Sequence, residues 1–399
     1  MRFALIILVW FAGHFYVQRR LVRTLPGSRW RRWTTVAVAL AAVLPLLAMT
    51  LWRTTPDAFG VTALSWLGFW SFGLSSVVFA FVLVRDGLLS AVALVGRLRR
   101  RRGGSLSPPD VVADPERRRL FSNTVNMGIV GGAVSMSAVG GAHVTTTPAI
   151  KRLRVPIEGL PRGLEGFRIA QLTDVHIGPT IRGGFLRGVV EAVNAEGPDL
   201  VAVTGDLVDG HVRVLGEHVR PLAGLRAPHG VFFVTGNHEY YWRAEEWIAF
   251  LRELGLEVLL NEHRVITHAG ESLVVAGVTD LHGGASAGMP SDPAVAVAGA
   301  PRDAVKLLLA HQPRSVFAAE RAGVDLQLSG HTHGGQYFPF NLLIHLVQPY
   351  VRGLHRHGRS WVYVSCGTGY WGPPMRVGAP AEITLVELVA AEGATARTA

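Results

Sequence analysis

The stretch Leu328–Gln336, "LSGHTHGGQ", sets two histidines two residues apart, after a short apolar run and before a pair of glycines. Two imidazoles on a glycine-flanked turn make chemical sense if partner ligands stand at comparable places elsewhere in the chain. They do. "FRIAQLTD" (Phe167–Asp174), "DLVAVTGD" (Asp199–Asp206), "GVFFVTGNHE" (Gly230–Glu239) and "VKLLLAHQP" (Val305–Pro313) are further apolar runs that finish on polar residues. Each has the length and pattern of a buried strand. Their ends carry Asp174 and His176, Asp206, Asn237 and His238, and His311. His331 and His333 end the run that opened this reading.

Three more apolar runs, Ser272–Asp280, Trp361–Gly367 and Glu382–Leu388, also read as strands, with helices over Phe185–Gly197, Ala244–Leu254 and Arg314–Ala322. Strand and helix alternate first and strands crowd later, which predicts sheets with helices on both outer faces. In layered α/β folds, ligands bind beyond the carboxyl ends of strands. Five strand ends offering Asp, Asn or His to one edge would form a single concave polar site. Taken singly the motifs say little: "TGD" is a turn, and "GNHE" a helix cap. The ordered set is what carries information. One cysteine, Cys366, excludes an intrachain disulfide and a thiolate cluster, so a metal site here must use His, Asp, Glu or Asn.

The first part of the chain is of another kind. Residues 1–150 carry 17 Lys and Arg against 5 Asp and Glu, while 151–399 carry 22 against 24, so the net +10 arises entirely in the first part. These arginines flank long apolar runs and read as membrane flanks, which excludes nucleic acid as the expected partner. The runs are Phe3–Val17, Thr34–Leu51, Phe59–Val84 and Met127–Val144. A helix of ~20 apolar residues crosses ~30 Å of hydrocarbon, and Pro45 is expected to kink the second. The expectation is a helical membrane region of about four spans over 1–150 and a catalytic domain over 151–399. The intervening "TTTPAIKRLRVPI" reads as a linker. The loops 18–33 and 85–125 are rich in arginine, which predicts both to be cytoplasmic. A fourth span then carries the catalytic domain outside; without it the domain stays in the cytoplasm.

The series D-x-H, G-D, G-N-H-E, a lone His and G-H-x-H, in that order from Arg168 to Leu388, resembles the calcineurin-like metallophosphoesterases. More narrowly, "TGDLVDG", "GNHEYY", "AHQP", "GHTHGGQ" and "YVSCGTGYWGPPMR" with "AEITLVEL" are similar to the membrane-associated bacterial phosphodiesterases of that superfamily. Many of those relatives have only one anchor, so the multi-pass region is a departure. The resemblance implies a four-layer αββα sandwich and two divalent metal ions (Mn, Fe or Zn). Asp174, His176, Asp206 and His333 would hold one; Asp206, Asn237, His311 and His331 the other. The doublet would then serve both ions.

It further implies attack by a metal-bridged hydroxide, with His238 as acid at the leaving oxygen and Asp209 and Glu239 orienting ligand histidines. The expected activity is hydrolysis of a phosphodiester or pyrophosphate bond, in a lipid-linked or cell-envelope substrate, by a multi-pass protein of the cell membrane. A phosphomonoesterase acting on small soluble substrates is the alternative within the class. A non-catalytic metal-binding scaffold is the alternative outside it. Metal identity and oligomeric state are not legible in the sequence.

Overall fold

A computed structural model describes residues 2–101, 114–142 and 144–391. The chain falls into two compact units, Met1–Gly141 with Gly372–Met375, and Ala142–Trp371 with Arg376–Ala399.

The first unit contains four long helices, α1 (Arg2–Val22), α2 (Ser28–Thr54), α3 (Val61–Arg101) and α4 (Pro115–Gly141). Among the described residues three helices are long and apolar enough to cross a membrane: Ala4–Val22, Ser28–Thr54 and Val61–Arg99. The fourth expected segment does form a helix, but its glycines and serines dilute its apolar character below that of the other three. Polar groups tie α1, α3 and α4 at one level. Asp86 pairs with Arg20 at 2.6 Å and Arg85 at 2.7 Å. Asn126 accepts from Arg85 and donates to the Thr24 hydroxyl and the Arg20 carbonyl. From there α4 runs back along α3. Gly132 lies beside Phe81, and Val134 and Ala138 share a groove with Trp70, Leu74 and Leu40.

The second unit is built on two six-stranded sheets. The first has the order β1 (Ala149–Ile157), β12 (Glu382–Ala390), β2 (Arg168–Leu172), β3 (Leu200–Val203), β4 (Val231–Phe233), β5 (Glu257–Val258). The second has the order β10 (Gly353–His357), β11 (Ser360–Val364), β9 (Leu326–Ser329), β8 (Val305–Leu309), β7 (Glu271–Gly277), β6 (Glu262–His268). Successive side chains on a strand point to opposite faces, and one set from each sheet forms a common core. It includes Ile169, Leu200 and Phe232 from the first sheet and Val275, Leu307 and Leu328 from the second.

Helices flank these sheets. Gly183–Glu196 (α5) buries Leu186, Val189, Val190 and Val193, a stripe at helical spacing. It links β2 to β3, and Val212–Val219 (α6) links β3 to β4; all three strands are parallel. On the second sheet Leu308 and Ala310 pack with Ala296 and Ala319 from the helices that follow β7 and β8.

One expectation needs correction. Residues 149–157, read as linker, form β1, paired in parallel with β12 over nine residues. Lys151, Arg152 and Arg154 disguise it, because an edge strand keeps half its positions at solvent. Pro156 is tolerated for the same reason: an edge residue can do without one ladder hydrogen bond. β6 and β10 were also not expected. Their exposed faces carry no apolar run.

Candidate metal centre

The parallel pairings β2–β3–β4 and β8–β9 bring each set of carboxyl ends to one edge of its sheet. The residues just beyond these ends leave extended geometry at once. Asp174, His176, Asp206, His331 and His333 all have positive φ, between 50° and 70°. Non-glycine residues adopt this region at a cost of about 1–3 kcal/mol each, and Asp and His are among those that do so most readily. Five such residues converging on one place mark a site whose surroundings over-determine its backbone. The loops need room to do this. A Cβ on Gly330 would lie 2.0 Å from Asp174 Oδ2, and one on Gly236 2.2 Å from Asp206 Oδ1.

Three groups of potential ligand atoms result among the described residues, each with its atoms within 4.8 Å of one another: Asp174 with His176 and His333, Asp206 with His311 and His331, and His176 with Asp209 and His238. In the first, His176 Nε2 and His333 Nε2 are 3.1 Å apart, and His333 Nε2 is 3.3 Å from Asp174 Oδ1. In the second, His331 Nδ1 lies 3.2 Å from His311 Nε2, which is 3.2 Å from Asp206 Oδ2. That same Oδ2 is 3.9 Å from His176 Nε2, so Asp206 stands between the groups. Its other oxygen accepts from the His238 amide at 2.8 Å.

The supporting contacts fix which ring nitrogen faces inward. His176 Nδ1 donates to Asp209 at 3.0 Å and His311 Nδ1 donates to the Thr204 carbonyl at 2.9 Å, leaving each Nε2 free to ligate. His331 turns its Nδ1 inward instead. Its amide donates to both oxygens of Asp174 at 3.0 Å, tying the doublet to the end of β2.

Asn237 supplies a direct test of whether a cation fits. Its Oδ1 is buried and has no hydrogen-bond partner, and a buried acceptor left unpaired costs about 1–3 kcal/mol. Close imidazole nitrogens, an orphaned amide oxygen and two fully buried carboxylates form a donor set suited to a borderline divalent ion such as Mn, Fe or Zn. The electrostatics agree. Burial, together with the charge of Asp206, pushes the Asp174 carboxyl above its usual range. Burial and His311 push His331 down to about 4, so its lone pair is available at neutral pH. His311 moves the other way, because the carboxylate of Asp206 overcomes burial and favours its charged form. A cation beside Asp206 would take over that role.

His238 joins neither of the first two groups; it stands in the third, with His176 and Asp209. Its Nδ1 donates to Asp209 at 2.5 Å, and its Nε2 lies 3.8 Å from Asp206 Oδ2. The rings of Tyr241 and Trp371 flank it at 5.1 and 5.7 Å. Burial opposes the imidazolium, but Asp206 and Asp209 outweigh it and push His238 up to about 9. The folded-state value is raised above 6.5, so this stabilisation is complete below about pH 6.5 and is lost as pH rises through 9. With metal chelated, an NMR titration of His238 should show a midpoint well above 6.5 that falls in Asp209→Asn. An unchanged midpoint would contradict the pairing.

Two residues differ from expectation or were passed over. Glu239 touches no ligand histidine. It is fully buried and accepts from the amides of Asp206, Leu207 and Gly236 at 3.0, 2.8 and 2.6 Å, so it shapes the backbone that carries Asp206. Burial first, and then the charge of Asp206, push it up to about 7. Arg376 also belongs to the site. Its guanidinium donates to the Cys366, Gly369 and Ala379 carbonyls and lies 3.2 Å from His333 Nδ1. A half-buried arginine can be suspected only when the fold is known, because the surrounding "PPMR" has no strand or helix period.

Comparison with known proteins agrees with this geometry. The model of the calcineurin-like phosphoesterase family matches residues 167–335. A transmembrane protein with metallophosphoesterase domain from Danio rerio is 33% identical over 94% of this chain and 86% of its own length. The chain belongs to the calcineurin-like phosphoesterases. The corresponding protein of Bos taurus is likewise 33% identical, over 95% and 87%. A metallophosphoesterase of Helicobacter pylori strain J99 is 37% identical over 69% of this chain and 73% of its own. As a calcineurin-like phosphoesterase the protein is a hydrolase of phosphoric esters, and its helical unit is that of a membrane protein.

Proposed function

We propose that the second unit binds two divalent metal ions and hydrolyses a phosphodiester or pyrophosphate bond in a lipid-linked or cell-envelope substrate. The observation that carries the metal reading is the position of Asp206 Oδ2 between the two ligand groups. Asp174, His176, Asp206 and His333 would hold one ion, and Asp206, Asn237, His311 and His331 the other. When bound, such a pair polarises the phosphoryl oxygens and acidifies the attacking water.

The remaining work belongs to the chain. His238 would give a proton from Nε2 to the leaving oxygen as its bond to phosphorus breaks, while the oxygen of the attacking water forms the new bond to phosphorus; the proton that water loses passes to solvent, from which His238 is reprotonated. Asp209 holds the imidazole in the required tautomer through Nδ1. Glu239 keeps the Asp206 turn in place through three amides. The diester preference rests on the family resemblance, and the lipid-linked class on the apolar helices that keep the site near a bilayer. With Mn added, bis-p-nitrophenyl phosphate should be cleaved faster than p-nitrophenyl phosphate. The reverse order would favour a phosphomonoesterase, and no turnover of either with metal bound would favour a scaffold.

We also infer that α4 crosses the membrane as a fourth span, which puts the second unit on the extracytoplasmic side. What supports this is α4 itself. Its Asn126 lies beside Arg20 and Arg85, and from there the helix returns along α3 past Phe81 towards Trp70. Small residues lower its hydropathy but let it pack closely against α3. Protease added to intact spheroplasts should remove the second unit; digestion only after lysis would contradict this orientation.

A further inference from the structure

Among its described residues the second unit has ten exposed large apolar or aromatic side chains, and five of them fall within residues 340–347: Phe340, Leu342, Leu343, Leu346 and Val347. The others are scattered, as on any protein surface. This run forms two successive single turns, Phe340–Leu343 and Ile344–Leu346, directly after the ligand turn "GHTHGGQ". Leu346 is 81% exposed, more than any other large apolar side chain of the unit. Soluble proteins rarely concentrate apolar surface in this way without something to cover it.

Two contacts tie the run to the ligand turn and the site's rim. Gly335 lies so close to Asn341 that a Cβ there would be 2.3 Å from the Asn341 Cα. The Gln336 side chain then clasps the Trp371 backbone from both sides, accepting from its amide and donating to its carbonyl, each at 3.0 Å. Trp371 is half exposed and is the ring that flanks His238. The exposed apolar turns and the aromatic at the site's rim are thus both fixed to adjacent residues, Gly335 and Gln336, at the end of the ligand turn. Arg314, whose guanidinium donates to the Val347 carbonyl at 2.9 Å, sets a cation at the edge of the run.

We propose that residues 340–347, with Trp371, form a docking surface for the lipid bilayer, so that the metal centre opens at the level of the headgroups. The choice of occupant follows from the chain itself. Three of its helices are long and apolar enough to cross a bilayer. Only residues 142–148 separate α4 from β1, a tether of at most about 25 Å at full extension. A bilayer is therefore always within reach of the second unit, at high effective concentration. Apolar turns with an aromatic and an arginine at the rim have the composition of segments that lie in the interface plane. The substrate this surface would bring to the site is a phosphoester whose apolar part stays in the membrane. That last step rests on the hydrolase reading above, but the docking itself does not.

The test uses the full chain in vesicles of phosphatidylcholine and phosphatidylglycerol. Leu346→Cys is labelled with a bimane fluorophore; the one native cysteine, Cys366, is buried. Val265→Cys, on edge strand β6, serves as the reference. Lipids carrying a nitroxide should quench the label at 346 several-fold more than at 265. Equal quenching would overturn the proposal. So would a label shielded from lipid together with a dimer that Leu342→Asp/Leu346→Asp converts to monomer, because the occupant would then be a second copy. In the double variant, the ratio of vesicle-borne to soluble diester hydrolysis should fall about tenfold as insertion is lost; an unchanged ratio would overturn the link to substrate. Quenching is read without turnover, so an inactive protein that still docks would refute the hydrolase reading alone.

Discussion

Asp206→Ala should cut metal-dependent hydrolysis of bis-p-nitrophenyl phosphate by at least about three orders of magnitude, equivalent to about 4 kcal/mol of transition-state stabilisation. No other residue holds so many parts of the site together. Its Oδ2 faces His311 at 3.2 Å and His176 at 3.9 Å, and its Oδ1 anchors the His238 amide. Removing it takes a shared carboxylate from both ligand groups and strips the buried His311 Nε2 of its carboxylate neighbour. Metal content should fall with activity. Circular dichroism checks that the fold survives, as the core between the sheets lies away from this carboxylate. An Asp206→Ala protein that kept its metal and its rate would contradict the site.

His238→Ala should behave differently, losing about 10²–10⁴-fold in kcat while metal content stays at the wild-type level. His238 belongs to neither the Asp174 nor the Asp206 group, and its Nδ1 is committed to Asp209. The size of the loss should depend on the leaving group. Nitrophenolate leaves readily without a proton, so a diester with an alkyl leaving group should suffer more. Equal losses on both substrates would make His238 a stabiliser of charge on phosphorus rather than a proton donor. Loss of metal along with activity would make it a ligand.

Much of the site could be read in the sequence because its residues sit where two patterns meet. An apolar run of strand length ends, and an Asp, Asn or His follows directly. This placed Asp174, Asp206, Asn237, His311 and the doublet at one edge before any fold was known. The structure brings Asp174 close to His333, and Asp206 close to His311 and His331. β1 escaped because Lys151, Arg152 and Arg154 give an edge strand the appearance of a linker. Glu239 was assigned the wrong partner: from sequence it neighbours His238, but helix geometry turns its carboxylate back to the amides of the Asp206 turn. The site's rim was not legible at all. Trp371 and Gln336 are 35 positions apart, and their mutual hydrogen bonds depend on a long-range closure that no local period announces.

Metal stoichiometry of the purified full chain, loaded with Mn and examined by elemental analysis and electron paramagnetic resonance, tests the account most directly. Two ions per chain with a spin-coupled signal is the expected result, since Asp206 stands between both ligand groups. One ion, none, or two uncoupled ions would contradict it.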